Sequence, residues 1–360
     1  MSACGNTGET PVKPVARPLT PQALDKALHD QVKTVVVIYA ENRSFNNLFA
    51  DFPGVEKPLS ALSAADTQQR DRDGSLLTTL PPAWGGVLHV GPSALTPDGY
   101  AVNTLAPPYW PTWIRDPQNP DYSKPDLPNV LVPQTHEHIG DKLSKKNVDW
   151  AWYAGAWQAT LEQLKDSGGI PKTPNFQYHH QPFNYFKQQG PENRAEREKR
   201  LRDGGLGDES STNKFFADAQ PAVSFYKPQG NLNMHAGYAD VASGDRHIAR
   251  ALKVLQESPQ WKNMVVVVTV DENGGWWDHV APPQGDRWGP GTRIPALVVS
   301  PFARKGTVDH TVYDTASILR LITRVFELEK LDGLKQRDDA MIARGQQPMG
   351  DLSNALQFDV

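Results

Sequence analysis

The chain has 360 residues, with 37 Lys and Arg against 41 Asp and Glu, a net charge of −4, and 38% hydrophobic against 22% charged positions. That content supports a substantial core, in one large domain or two ordinary ones, and excludes a disordered chain. The near-balanced charge argues against a nucleic-acid partner, and no apolar run approaches the about 20 residues a transmembrane helix needs.

A single Cys excludes an intramolecular disulfide. Met1-Ser2-Ala3-Cys4-Gly5 looks like the end of a bacterial lipoprotein signal. It would place the protein in the cell envelope or periplasm on a lipid anchor at Cys4, with secretion as the alternative; an N-terminal Cys by chance is the other reading. Residues 5–19 are polar and Pro-rich, so the expected organisation is a flexible tether over 1–19 and one α/β domain over 20–360.

Thr20 before Pro21 caps a short helix reaching about His29. The β-branched run Thr34–Ala40 follows, with the signature of a strand buried on both faces of a parallel sheet. Residues 51–135 are rich in Pro, Gly, Ser, Thr and Asp without sustained period, uncommon in a compact domain. Val148–Tyr153 alternates as a half-covered strand would, and Asn193–Asp203 alternates charge like a solvated helix face. Ala222–Tyr226 is a shorter strand, and Ile248, Leu252 and Leu255 mark a helix. Met264–Val270 and Ile294–Ser300 repeat the buried-strand signature. His310 opens the last helix, whose stripe is Ile318, Leu319, Ile322, Val325 and Phe326. Strands alternating with helices imply an α/β fold with helices on both faces of a sheet.

The first buried strand runs into Glu41-Asn42-Arg43-Ser44, the second into Asp271-Glu272-Asn273-Gly274-Gly275. Ligands of open α/β sheets sit beyond the carboxyl ends of the strands, so both clusters should face one crevice. Glu41, Asn42, Asp271 and Glu272 would there supply three carboxylates and an amide oxygen, and a divalent metal ion is the economical neutraliser. Oxygen donors alone suit Mg, Ca or Mn, whereas a nearby His admits Zn or Fe. His179 and His180 lie among aromatic residues, His235 in a Gly- and Asn-rich loop, and His279 just beyond the second acidic cluster. His136 and His138, two apart in an extended stretch, could bind metal or be structural, whereas His29, His89 and His247 read as structural. Arg287 could clamp an anionic substrate with its planar fork, or pair with Asp286 or stack on Trp288.

Seven blocks carry a family resemblance: VVVIYAENRSFNNLF (35–49), HIGDKLSKKNVDWAWYAGAW (138–157), PNFQYHHQPFNYF (174–186), FYKPQGNLNMHAGYADVASGDRHI (225–248), VVVVTVDENGGWWDHVAPP (265–283), GDRWGPGTRIPALVVSPFA (285–303) and VDHTVYDTASILRLITRVF (308–326). Together they resemble the bacterial phosphoesterase family of acid phosphatases and phospholipases C, related to the alkaline phosphatase superfamily, and look closest to the acid phosphatase branch. The resemblance implies a three-layer α/β/α sandwich around a mostly parallel sheet. It implies metal ligation by Glu41, Asn42, Asp271 and Glu272, and active-site roles for His179, His180, His235 and His279. Asn46 stands where the family usually has Asp.

The implied activity is metal-dependent hydrolysis of a small phosphate ester, as an acid phosphatase, or of a phospholipid headgroup, as a phospholipase C. A metal-binding remnant without catalysis is the further alternative. The resemblance also implies a hydroxyl nucleophile in a glycine-serine segment, and residues 51–135 carry no such block. Ser44, Ser93, Thr104 and Thr135 are hydroxyls without that context.

Overall fold

A computed structural model of the protein describes residues 19–68, 74–78, 133–166, 176–207, 213–286 and 289–358. Cys4, His89, Ser93, Thr104 and Arg287 lie outside the described residues, as do most of the tether and most of the irregular stretch. In chain order the elements are α1 (Pro21–Gln31), β1 (Thr34–Ala40), α2 (Phe45–Phe49), α3 (Ile139–Lys145), β2 (Trp150–Ala154), α4 (Trp157–Asp166), α5 (Arg194–Arg200) and β3 (Leu201–Asp203). They continue with α6 (Lys214–Ala217), β4 (Val223–Lys227), α7 (Val241–Glu257), β5 (Met264–Val270), β6 (Ala296–Val299), α8 (Ser317–Val325) and α9 (Asp332–Ala343), with short 3-10 turns between.

The sheet runs β3-β2-β4-β1-β5-β6, parallel throughout except for β6, and helices cover both faces, giving the three-layer sandwich. Strand alternation sorts the core into two halves. Val35, Val37, Phe225, Val265 and Val267 pack with Leu28 of α1, Leu143 of α3 and Leu321 of α8. Val36, Ile38, Tyr226, Val266 and Val268 face Phe215 of α6 and Ile248, Ala251 and Leu255 of α7. With both faces covered, the central strands become continuous β-branched runs.

Three segments and one histidine differ from the sequence expectation. The run 294–300 contributes only β6, an antiparallel edge strand with Leu297 44% exposed, because among the described residues no further strand pairs with its outer side. Within 193–203 the helix stops at Arg200, and the last three residues form β3. Arg200 is buried there and pairs with Glu196 and Asp149, so the charge pattern marks a buried ion cluster as well as a solvated face. The strand expected over 148–153 is β2, second from the edge and buried at four of its five positions. His310 lies ahead of α8 rather than opening it, exposed and 3.6 Å from Glu56.

Register places the site. Ala40 pairs with Val270, so Glu41 and Asp271 leave the sheet side by side, and Ile38 pairs with Tyr226, so Lys227 ends β4 beside them. Beyond β2, the Gly155 amide donates to the Lys227 carbonyl at 2.8 Å. A Cβ on Gly155 would collide with the backbone of Gln229, at the start of the loop that carries Asn233 and His235. Gly155→Ala is therefore expected to cost about 2–3 kcal/mol, by overpacking against backbone that cannot rotate away. Chemical denaturation checks it; an unchanged midpoint would mean the loop yields without strain.

Candidate active site

Glu41 is the first residue past the buried end of β1, and its side chain has nowhere to go but the crevice. Its amide donates to the Asn233 carbonyl at 2.7 Å, which ties the β4–α7 loop to β1. Oε1 of its carboxylate lies 3.2 Å from Nε2 of His180, and Oε2 accepts from Nδ2 of Asn233. Nζ of Lys227 reaches the same carboxylate at 3.4 Å, Oδ2 of Asp271 at 2.9 Å and the Ala40 carbonyl at 3.3 Å. The lysine side chain is 4% exposed. One ammonium thus sits between the carboxylates that follow β1 and β5, shielded from water.

His179 and His180 come from a 3-10 turn, Tyr178–His180, on the other side of Glu41. The turn is pinned by Trp152 of β2, whose Nε1 donates to the His180 carbonyl at 2.6 Å and whose ring stacks on Tyr39 and Phe225. Burial lowers the basicity of both imidazoles, to about 4 for His179, where the neighbouring His180 adds to the effect. Burial alone would raise the Glu41 carboxyl, but the His180 hydrogen bond and the Lys227 charge outweigh it and hold the pKa at about 2. His180 therefore donates as a neutral ring, and the charge that balances Glu41 is that of Lys227.

Metal binding can be judged from the donors. Single ligand atoms of Glu41, His179 and His180 lie within 4.8 Å of one another. One carboxylate with two neutral imidazoles is a mixed oxygen and nitrogen set that suits Zn, Fe or Mn, so the residues present fit a divalent ion.

The other expected ligands are arranged differently. Oδ1 of Asp271 accepts from the amides of Asn42, at 3.1 Å, and Glu272, at 2.8 Å, while Oδ2 accepts from Lys227. Glu272 is exposed and its Oε2 accepts from the Gly274 amide at 2.7 Å. Asn42 has φ +59°, and Gly274, at φ +64°, packs so closely on it that a Cβ would clash. Only a residue tolerant of the left-handed region suits either position.

Among the histidines, His235 is tied to the cluster through Asn233, whose Oδ1 accepts from the His235 amide at 3.0 Å. Its ring stacks on Tyr238 at 4.3 Å, and Nδ1 lies 2.5 Å from the Ala236 carbonyl. His279 is committed at both nitrogens, Nδ1 to the Asn46 side-chain amide at 2.9 Å and Nε2 to the Lys57 carbonyl at 3.0 Å, and it ties the loop after β5 to the chain after α2. His138 is structural: it caps α3 and lies 3.0 Å from Oε1 of Gln189. His136 is exposed against Phe186. Ser44 is a buried N-cap of α2 that donates to the Trp277 carbonyl, whereas Thr135 is exposed.

The family profile described as the phosphoesterase family matches residues 93–329, about two-thirds of the chain. The chain belongs to the phosphoesterase family. Glu41 lies ahead of the matched region, and the β1–β5 register brings it to the matched half of the site. Similar proteins include non-specific phospholipase C1 of Arabidopsis thaliana, 32% identical over 123 residues, which are 28% of this chain and 23% of that protein. Phospholipase C B of Mycobacterium tuberculosis is 33% identical over 163 residues, 38% of this chain and 30% of the relative. Non-specific phospholipase C6 of Arabidopsis thaliana is 33% identical over 113 residues, 25% and 22% of the two chains. The matched segments thus span less than a third of these curated relatives.

Lys227, Asn233 and Tyr238 were not singled out in the sequence. The signal for Lys227 is a basic residue directly ending a buried strand; Asn233 stands two residues before His235 in a loop where Met234 is left-handed at φ +75°. Because the folded state holds Glu41 below its unfolded pKa of about 4.3, it contributes roughly 3 kcal/mol at neutral pH. That contribution is lost as pH falls from the unfolded value towards about 2. Metal-free Glu41→Gln is expected to melt below the parent at pH 7, with the gap closing as pH approaches 2; a gap constant with pH would contradict the assignment.

Proposed function

We propose that this crevice hydrolyses phosphate esters. The observation that carries the reading is the fixed array of Glu41, His179, His180, Asn233 and Lys227 at the carboxyl edge of the sheet in a phosphoesterase family member. A divalent ion held by Glu41, His179 and His180 would polarise a phosphoryl oxygen and lower the pKa of an attacking hydroxyl or water.

The chain's own groups do the rest. Lys227 keeps Glu41 ionised and, with Asn233, aims its carboxylate. Nδ1 of His235 donates to the Ala236 carbonyl, which leaves Nε2 as the basic nitrogen. Once protonated, Nε2 can deliver a proton to the leaving oxygen. His279 holds the loops after β1 and β5 in register, so the acidic clusters keep their spacing.

For the substrate, a phospholipid is the preferred reading. The matched relatives are named phospholipases C, and the loop after β5 presents Trp276 and Trp277, 39% and 36% exposed, as rings suited to an interface between water and lipid. The acid phosphatase reading rests on the sequence blocks that look closest to that branch. Placement at the cell envelope, through Cys4, belongs to the same proposal.

The test supplies purified protein with phosphatidylcholine in mixed micelles and, separately, with a chromogenic phosphomonoester, with and without Mn²⁺ or Zn²⁺. Metal-dependent release of phosphocholine is expected, with Glu41→Gln and His235→Ala each lowering the rate at least about a hundredfold. Faster monoester turnover would favour the acid phosphatase reading. Metal uptake without turnover of either substrate would leave a binding remnant and overturn the hydrolase.

A further inference from the structure

We propose that Arg43 is a positioning residue of this crevice: its guanidinium holds the β4–α7 loop and the turn after β5 together, and so keeps Asn233 and His235 in place. The kinetic part of the proposal rests on reading the crevice as a hydrolytic site.

The first observation is how this arginine is buried. Arg43 is 8% exposed. The other buried arginines among the described residues have acids beside them: Arg200 pairs with Glu196 and Asp149, and Arg320 with Asp338. Arg43 has no such acid among the described residues. It donates instead to two neutral oxygens, from Nε to the Met234 carbonyl at 3.0 Å and from Nη1 to Oδ1 of Asn47 at 2.9 Å. The Trp276 ring covers the guanidinium carbon, with its centroid 5.2 Å away. A planar fork reaches two acceptors in its plane and keeps its face for a ring, a combination that neither Lys nor Gln offers.

The second observation is what those partners are. Met234 stands between Asn233, which bonds to Glu41, and His235, and its backbone is left-handed at φ +75°. A residue with a side chain keeps that conformation only where its neighbours fix it. The Met234 side chain is buried against Gly244 of α7, where a Cβ would collide with it, and its carbonyl is held by Arg43. Trp276 closes the turn that begins at Asn273: its amide donates to the Asn273 carbonyl at 3.1 Å, and its carbonyl accepts from Nδ2 of Asn273 at 2.9 Å. Asn47 lies in α2, so the guanidinium is braced from the segment that follows Glu41. One side chain thus joins the segments after β1, β4 and β5.

An arginine that served only the stability of the fold would, when removed, lower Tm and leave the turnover of each folded molecule unchanged. The loss of a positioning residue acts locally. It frees the two loops and slows the chemistry, while substrate affinity is kept because Arg43 does not touch the substrate.

The test compares full-length Arg43→Ala with the parent by hydrogen exchange and mass spectrometry, at a temperature where melts show both to be folded. Exchange should rise at least about tenfold in residues 231–239 and 273–277, with β4 and α7 unchanged. Exchange that is unchanged in these loops, or faster throughout the chain, overturns the proposal. If Arg43→Ala does not fold, Arg43→Gln takes its place. Failure of both to fold also overturns the proposal, because the arginine then holds the whole fold rather than two loops.

Activity is read with the chromogenic phosphomonoester or a short-chain, monomeric phosphatidylcholine, whichever the parent turns over. For each folded molecule kcat should fall at least about tenfold, while KM changes less than about threefold. An unchanged kcat overturns the positioning role, and so does a loss carried by KM alone. If the parent turns over neither substrate, the hydrolytic reading fails, while hydrogen exchange still decides whether Arg43 holds the loops.

Discussion

The site depends on one electrostatic constraint: parallel strands β1 and β5, in register, deliver Glu41 and Asp271 to the same edge of the sheet. Two carboxylates at that spacing repel unless a positive charge lies between them. β4, on the other flank of β1, ends in a lysine long enough to reach both. The same hydrogen bonds that hold strands side by side therefore set the spacing of the charges. A shift of one residue in either pairing would turn these side chains to the opposite face and break the array.

Around this core the loops are specialised. The β1–α2 and post-β5 loops lock together through Ser44, His279 and Asp278, whose carboxylate accepts from the Asn46 amide at 3.0 Å and from Arg293. The β4–α7 loop folds back so that Asn233 meets Glu41 and holds the His235 amide. Left-handed backbone at Asn42, Met234 and Gly274 lies in these loops, where conformational cost is accepted to aim the polar groups.

Much of this was legible in the residues. The β-branched runs of β1 and β5 announce buried parallel strands, and their polar ends announce a crevice, so Glu41 and Asp271 could be placed together without coordinates. The partners of the acids were less visible. A turn decides whether Glu272 faces the crevice or, as here, the Gly274 amide, and composition does not encode that turn. Lys227 escaped notice because it stands one residue beyond the apolar run it terminates. Charge balance alone does not reveal that a lysine ammonium also reaches both acids. β6 carries the composition of a central strand, and only its lack of an outer neighbour among the described residues makes it an edge. β3 hides in a charged run because two of its three residues are Arg202 and Asp203, which leaves Leu201 alone to reach the core.

The most direct test of the account is a crystal structure of the protein soaked with Mn²⁺ and orthovanadate, with the metal located by anomalous scattering. The account predicts one ion bound by Glu41, His179 and His180, Lys227 still joined to Asp271, and vanadate within reach of His235. An ion held by Asp271 and Glu272 with Lys227 displaced, or vanadate bound away from this crevice, would contradict it.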